Sequence, residues 1–180
     1  MDYDIRNVHI EDAPGLAKTQ VDSYKTAYEG LLPPAYLANF TYAEQEQDWA
    51  DILRAGTTDM LLVAVSQEKQ VVGYVLTRAQ PDIFPDYDAE IIALHVQKPF
   101  QKHGIGKALF RTAAKRLMDA GCKSTMLWTL KRNPTRQWYE KLGGIFLAEK
   151  SDEIDDWTIS EMAYGWKDIT SLLAILQVLR

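Results

Sequence analysis

The stretch AEIIALHVQKPFQKHGIGKALFRTAAKRLMDAG, residues 89–121, reads as an apolar run of strand length, a polar loop holding Pro99, and a helix opened by two glycines. Ile105, Leu109, Ala113 and Leu117 recur at helical spacing and form one apolar stripe. A strand that feeds a helix start aims free backbone N–H groups and the positive end of the helix dipole at one place, which suits an anion. The charges agree. Residues 91–118 carry six basic side chains (Lys98, Lys102, Lys107, Arg111, Lys115, Arg116) and no acidic one, in a chain of net charge -5. A helix start normally favours Asp or Glu, so Lys102, His103 and Lys107 make sense there with a phosphate bound. A solvated basic face on an amphipathic helix would use the same residue types, and the loop must be weighed with the rest of the chain.

Two familiar phosphate loops fail on these residues. A nucleotide-binding P-loop needs Gly at 101 and Ser or Thr at 108, where Gln101 and Ala108 stand. A dinucleotide fingerprint starting at Gly104 needs a small residue at 109 and an acid about 20 residues on, where Leu109, Lys123 and Ser124 stand.

Working outward, residues 3–8 read as a strand, and Glu11, Asp12 and Pro14 open a helix carrying Leu16, Ala17, Val21, Tyr24 and Tyr28. Gly30, Pro33 and Pro34 break it, two short helical pieces follow at 35–40 and 43–55, and 60–65 with 71–76 read as a hairpin. Downstream come a strand at 124–130 and a helix with Asn133 as N-cap and Pro134 in its first turn, closed by Gly143 and Gly144. Strands near 145–149 and 157–164 follow. This order predicts an α+β fold with a mixed sheet: one domain over 1–166, and residues 167–180 as a helical extension packed on the domain or on the partner in a homodimer.

The 180 residues suit one domain, and 47% apolar with 25% charged residues argue against disorder. No stretch reaches the roughly 18–20 apolar residues of a membrane span, and residues 1–12 have no signal-peptide pattern, so a cytoplasmic protein is expected. The acidic balance disfavours a nucleic-acid partner. One cysteine, Cys122, and three scattered histidines, His9, His95 and His103, predict neither a disulfide nor a metal site.

Gln101-Lys102-His103-Gly104-Ile105-Gly106 resembles the signature of the GCN5-related N-acetyltransferases (GNAT): Gln or Arg, two residues, Gly, any residue, then Gly or Ala. Tyr24 to Pro33 is similar to that family's first helix and turn, Asn133 to Gly144 to its second cofactor motif, and Glu161 to Trp166 to one common ending. Departures are Tyr24 where Trp is frequent, His95 where Tyr is frequent, and Thr135 where Ala is usual. The resemblance implies a mostly antiparallel sheet whose parallel central strands splay apart to admit acetyl-CoA. It implies that Leu94 and Val96 pair with the pantetheine. Gln101, Lys102, His103, Gly104, Ile105, Gly106 and Lys107 would hold the pyrophosphate, with Asn133 also on the cofactor. The basic stripe would meet the 3′-phosphate, and no metal is involved.

Acetylating an amine requires its neutral form, about one part in 2,500 at pH 7 for a pKa near 10.4. Glu90, directly before the apolar run 91–94, is one candidate base and Glu29 another; Glu90 as a mere charged residue at a sheet end fits equally. The resemblance assigns Tyr139 as the acid that protonates the leaving thiolate. Cys122 follows Gly121 at a helix end with no His or acid placed to activate it, which favours direct transfer over an acetyl-cysteine. Trp49, Trp128 and Trp138 read as core. Acidic residues fall in two predicted loops, Asp82, Asp86, Asp88 and Glu90, then Asp152, Glu153, Asp155 and Asp156. If both rim the acceptor side, with Tyr28, Glu29 and Asp88 on the substrate, the acceptor is a polyamine-like or peptide amine; ordinary solvated loops explain the acids as well. A non-catalytic acetyl-CoA sensor of the same fold is the rival.

Overall fold

The computed structural model describes residues 2–56, 60–79 and 84–178. Seven strands, β1 (Tyr3–Asn7), β2 (Met60–Ser66), β3 (Val71–Ala79), β4 (Ala89–Val96), β5 (Thr125–Leu130), β6 (Ile145–Ile154) and β7 (Trp157–Trp166), form one sheet. Their order is β1-β2-β3-β4-β5-β7-β6, and β4 with β5 is the parallel pair among antiparallel neighbours. The helices are α1 (Ala13–Ala27), α2 (Pro34–Ala38), α3 (Tyr42–Ala55), α4 (Ile105–Asp119), α5 (Arg136–Lys141) and α6 (Ile169–Val178). This is the mixed α+β sheet that the order of elements predicts, mostly antiparallel with a parallel central pair as the family resemblance implies.

The stripe of α4 packs Ile105, Leu109, Phe110, Ala113 and Leu117 into the larger core, with Leu62, Val72, Val75 and Ile91 from the sheet. Helix α6 adds Ile169, Leu172 and Leu176 to the same core, so the C-terminal segment lies on its own domain. Asp168 caps it, accepting from the N–H of Thr170 at 2.9 Å and of Ser171 at 3.2 Å. Leu172 and Leu176, 1% and 0% exposed, contribute about 1.5–3 kcal/mol each, which a helix this short needs. On the other sheet face α1 and α3 enclose Leu16, Ala17, Trp49, Leu61, Val63 and Tyr74. A buried cluster ties α1 to the sheet: Gln97 Nε2 donates to Thr19 Oγ1 (3.0 Å) and to the Val71 carbonyl (2.9 Å), and Thr19 donates to that carbonyl too.

The parallel pairing is short: Ala89 with Thr125, Glu90 with Met126, and Ile91 with Leu127. The next residue of β4, Ile92, is an insertion against β3, because Leu76 pairs with Ala93 and Thr77 with Ile91. Such a bulge bends the strand that carries it. Beyond it β4 follows β3, whereas β5 stays with β7 through Leu130 opposite Glu161, and the two parallel strands separate.

Two boundaries differ from those expected. Helix α5 starts at Arg136 rather than at Pro134: the Asn133 side chain accepts from the Thr135 N–H at 2.9 Å, closing a turn ahead of the helix. The expected acidic loop 150–156 is mostly strand. Lys150, Ser151, Asp152, Glu153 and Ile154 pair in turn with Glu161, Ser160, Ile159, Thr158 and Trp157, leaving a two-residue turn with Asp155 at φ 52°. Charge alone made that segment look like a loop; cross-strand bonds such as Thr158 Oγ1 to Glu153 Oε1 (2.8 Å) hold it in the sheet.

Candidate active site

The gap between β4 and β5 opens into a cleft of about 580 Å³. Its walls come from α1 and the turn after it, β4, β5, the approach to α5, and the facing residues of β6 and β7.

One wall is an unpaired strand edge. The Gln97 N–H donates to the Val72 carbonyl at 3.0 Å. By antiparallel alternation, His95 and Ala93 also turn their peptide groups to β3, and Leu94 and Val96 turn theirs to the edge that β5 has left. The Val96 carbonyl accepts from Gln101 Nε2 at 3.0 Å, which fixes the loop against the strand end. Lys102 (φ 62°) and Gly104 (φ 83°) are both left-handed, and Gly104 stands as the N-cap of α4 without a side-chain cap. The first amides of α4, from Ile105 to Lys107, therefore lack intrahelical acceptors, in the arrangement that accommodates a phosphate. The basic stripe is divided: Lys115 bonds Asp119 and Arg116 bonds Asn7 at the far end of the helix, away from the loop.

Tyr139 lines the cleft from α5, its ring packed against Phe110, Trp138 and Trp166 at centroid distances of 5.4–6.4 Å. Burial pushes the phenol up, so it remains a proton donor at neutral pH. Glu90 lines the cleft from β4 and stands opposite Arg78 of β3. Asn133 and Tyr28 also line it. Burial, then the neighbouring Tyr24, Tyr139 and Glu161, pushes the Tyr28 phenol up.

Two expected substrate contacts lie elsewhere. Glu29 is exposed on the turn after α1 and is not part of the cleft wall. Asp88 sits at the opposite end of β4, where its carboxylate accepts from the N–H of Lys123 (2.6 Å) and Ser124 (3.1 Å) and from Ser124 Oγ (3.2 Å). Those bonds hold it below the usual carboxylate range and pin the entry to β5, outside the cleft wall. Asp86 is exposed at the same end, its carbonyl accepting from Lys167 Nζ at 3.0 Å. Asp82 lies outside the described residues. Cys122 packs against the larger core off the cleft wall, and burial, then the nearby Asp88, pushes its thiol up, away from the thiolate a nucleophile needs. Trp49 is core as expected, whereas Trp128 is half-buried in the cleft wall.

The cleft also holds His95 and Asp152, both noted in the sequence, and three residues given no role there, Ser23, Lys150 and Glu161. His95 lies among the rings of Tyr24, Tyr74 and Tyr28, at 5.4, 5.3 and 6.4 Å. Desolvation brings its pKa down to about 4, so the imidazole is neutral at pH 7. Ser23 Oγ is buried at the wall with no hydrogen-bond partner among the described residues. Glu161, Lys150 and Asp152 face the cleft from the last hairpin. Their alternation, 150, 152, 154 against 161 and 159, was the available signal once the segment is read as strand. Among the described residues no cluster of His, Cys, Asp and Glu could hold a metal ion, and no helix is long and apolar enough to cross a membrane.

Comparison with known proteins agrees with this geometry. The model of the acetyltransferase (GNAT) family matches residues 24–144. The uncharacterized N-acetyltransferase YuaI of Bacillus subtilis is 28% identical over 172 residues, covering 96% of this chain and 97% of that one. Spermidine N(1)-acetyltransferase of Thermoplasma acidophilum is 23% identical over 159 residues, 86% of this chain and 94% of that one. The crystal structure of PaiA N-acetyltransferase from Thermoplasma acidophilum, a coenzyme A complex, superposes with a TM-score of 0.69 at 19% identity, covering 92% of this chain and 100% of that one.

Proposed function

The chain belongs to the acetyltransferase (GNAT) family and is an acetyl-CoA-dependent N-acetyltransferase; from that premise we propose direct transfer of the acetyl group to a primary amine of a cationic, polyamine-like acceptor. One observation carries this reading: a single cleft joins the unpaired edge of β4, the Tyr139 phenol, and an acceptor side bearing Asp152 and Glu161.

When bound, acetyl-CoA supplies the thioester: the C–N bond to the acceptor forms as the C–S bond breaks. The peptide groups of Leu94 and Val96 align the pantetheine, and the loop from Gln101 to Lys107 holds the pyrophosphate on the amides that open α4. Asn133 borders the cofactor side. Glu90 takes the proton of the acceptor ammonium through water, leaving the neutral amine that attacks. Glu29, off the cleft wall, is poorly placed for this. Tyr139 donates its proton to the departing sulfur; because a thiol pKa near 8.5 lies far below that of the buried phenol, the transfer proceeds only as the phenol is reprotonated, and the proton that the nitrogen sheds after attack passes through water to it. Tyr28 borders the acceptor. The spermidine acetyltransferase relative, at 23% identity, supports a cationic acceptor.

Thiol release from acetyl-CoA across polyamines, amino acids, aminoglycosides and peptides tests this reading, with Tyr139→Phe as control. Turnover confined to cationic amines and lost in the control is the expected result. Absence of turnover with every amine, despite acetyl-CoA binding, would overturn it.

A further inference from the structure

Lys150 and Glu161 stand directly opposite each other on β6 and β7, with Lys150 Nζ 3.0 Å from Glu161 Oε2. Taken alone this is a cross-strand ion pair of the usual kind. Its setting is unusual in two respects. Both side chains line the cleft, and the same Nζ lies 4.6 Å from the centroid of the Trp128 ring, itself part of the wall. A carboxylate and an indole face converging on one ammonium make a cation-binding station, and here the occupant is the protein's own lysine. Asp152 lines the cleft two residues along β6, on the same strand face. The pair is 42% and 29% exposed, so solvent screens it and it separates readily. A second ammonium can exchange into this place without disrupting the fold.

We propose that Lys150 is an internal stand-in for the distal ammonium of the acceptor: the station of Glu161, Trp128 and Asp152 takes one charged end of an α,ω-diamine, Lys150 swings to solvent, and the other amine receives the acetyl group. This rests on the transfer reading above and names the acceptor class more narrowly. Lys150 then acts as a specificity device. It competes with every acceptor and is displaced only by one that brings a charge of its own, so that a monoamine of equal length lacks the contact that opens the station.

The test compares an α,ω-diaminoalkane with the n-alkylamine of the same length, on the wild type, Lys150→Met and Glu161→Gln, reading the ratio of the two kcat/KM values. Lys150→Met raises the ratio, and Glu161→Gln lowers it, each by up to about fivefold, as expected for loss of one half-exposed charge contact. The KM for acetyl-CoA stays the same in both. A ratio unmoved in Glu161→Gln, or lowered in Lys150→Met, overturns the proposal. Calorimetric binding of the diamine to the CoA-loaded proteins gives a second readout independent of turnover. Tighter binding in Lys150→Met and weaker in Glu161→Gln without thiol release would keep the station and refute the transfer reading. Equal affinity in all three proteins would refute the station alone.

Discussion

The His95 ring makes the acid sensitivity of the fold calculable. Its neighbours Tyr24, Tyr28 and Tyr74 offer rings and no charge, and desolvation lowers its pKa from 6.5 to about 4. In the unfolded chain the imidazole takes up its proton near pH 6.5; in the folded protein it does so only near pH 4. Between these values the unfolded state binds more protons, so stability that is present above pH 6.5 drains away as pH falls toward 4. Integrated from pH 7 to pH 5, the loss from this one group is about 2 kcal/mol. His95→Phe keeps a ring in the aromatic nest and removes the titration. Urea unfolding of both proteins at pH 7, 6 and 5 measures the difference directly, other groups cancelling between them. The wild type should lose about 2 kcal/mol more than the variant over that range. Equal losses, or a larger loss in the variant, would refute the assignment of a neutral, desolvated His95.

Three further outcomes are expected. Tyr139→Phe lowers kcat about 100-fold while acetyl-CoA binding and unfolding midpoint stay near wild type, because the ring contacts persist and the hydroxyl bonds no described residue. Asp88→Asn weakens the carboxylate's bonds to the Lys123 and Ser124 amides and costs about 1 kcal/mol in urea unfolding, with acceptor KM unchanged; an altered KM would return Asp88 to the acceptor site. Gly104→Ala forces a side chain into a left-handed residue at φ 83°, costing about 1–2 kcal/mol in unfolding and weakening CoA in calorimetry; unaltered CoA affinity would separate this loop from the phosphate.

Most of the scaffold was legible because its signals are local. The stripe Ile105, Leu109, Ala113 and Leu117 fixes α4 by period alone, and Gly143 at φ 79° ends α5 where a left-handed residue is required. Leu94, Val96 and Tyr139 could be named only through the family resemblance, whereas Glu90 was read from its place directly before the apolar run 91–94. The acceptor side was less legible, since it depends on register. Whether Lys150 and Asp152 face the cleft or solvent turns on a single-residue slip, and the shift between Phe146 and Ala148 in the β6–β7 pairing helps set it. Asp88, expected on the substrate, lies off the cleft wall, and the reason this was not legible is the converse. An acid near the cofactor strand looks functional until the amides of Lys123 and Ser124, 35 and 36 residues away, are seen to use it. His95 carries no sequence mark of its surroundings, because its aromatic neighbours come from α1 and β3.

The central claim is that the edge of β4 freed by the bulge at Ile92 receives the cofactor. Residue-resolved amide hydrogen exchange, with and without coenzyme A, tests it most directly. The Leu94 and Val96 amides and those of Ile105, Gly106 and Lys107 should become protected on binding, while Ala93 and His95, directed to β3, remain as they were. Protection elsewhere, with Leu94 and Val96 unchanged at saturating coenzyme A, would contradict the account.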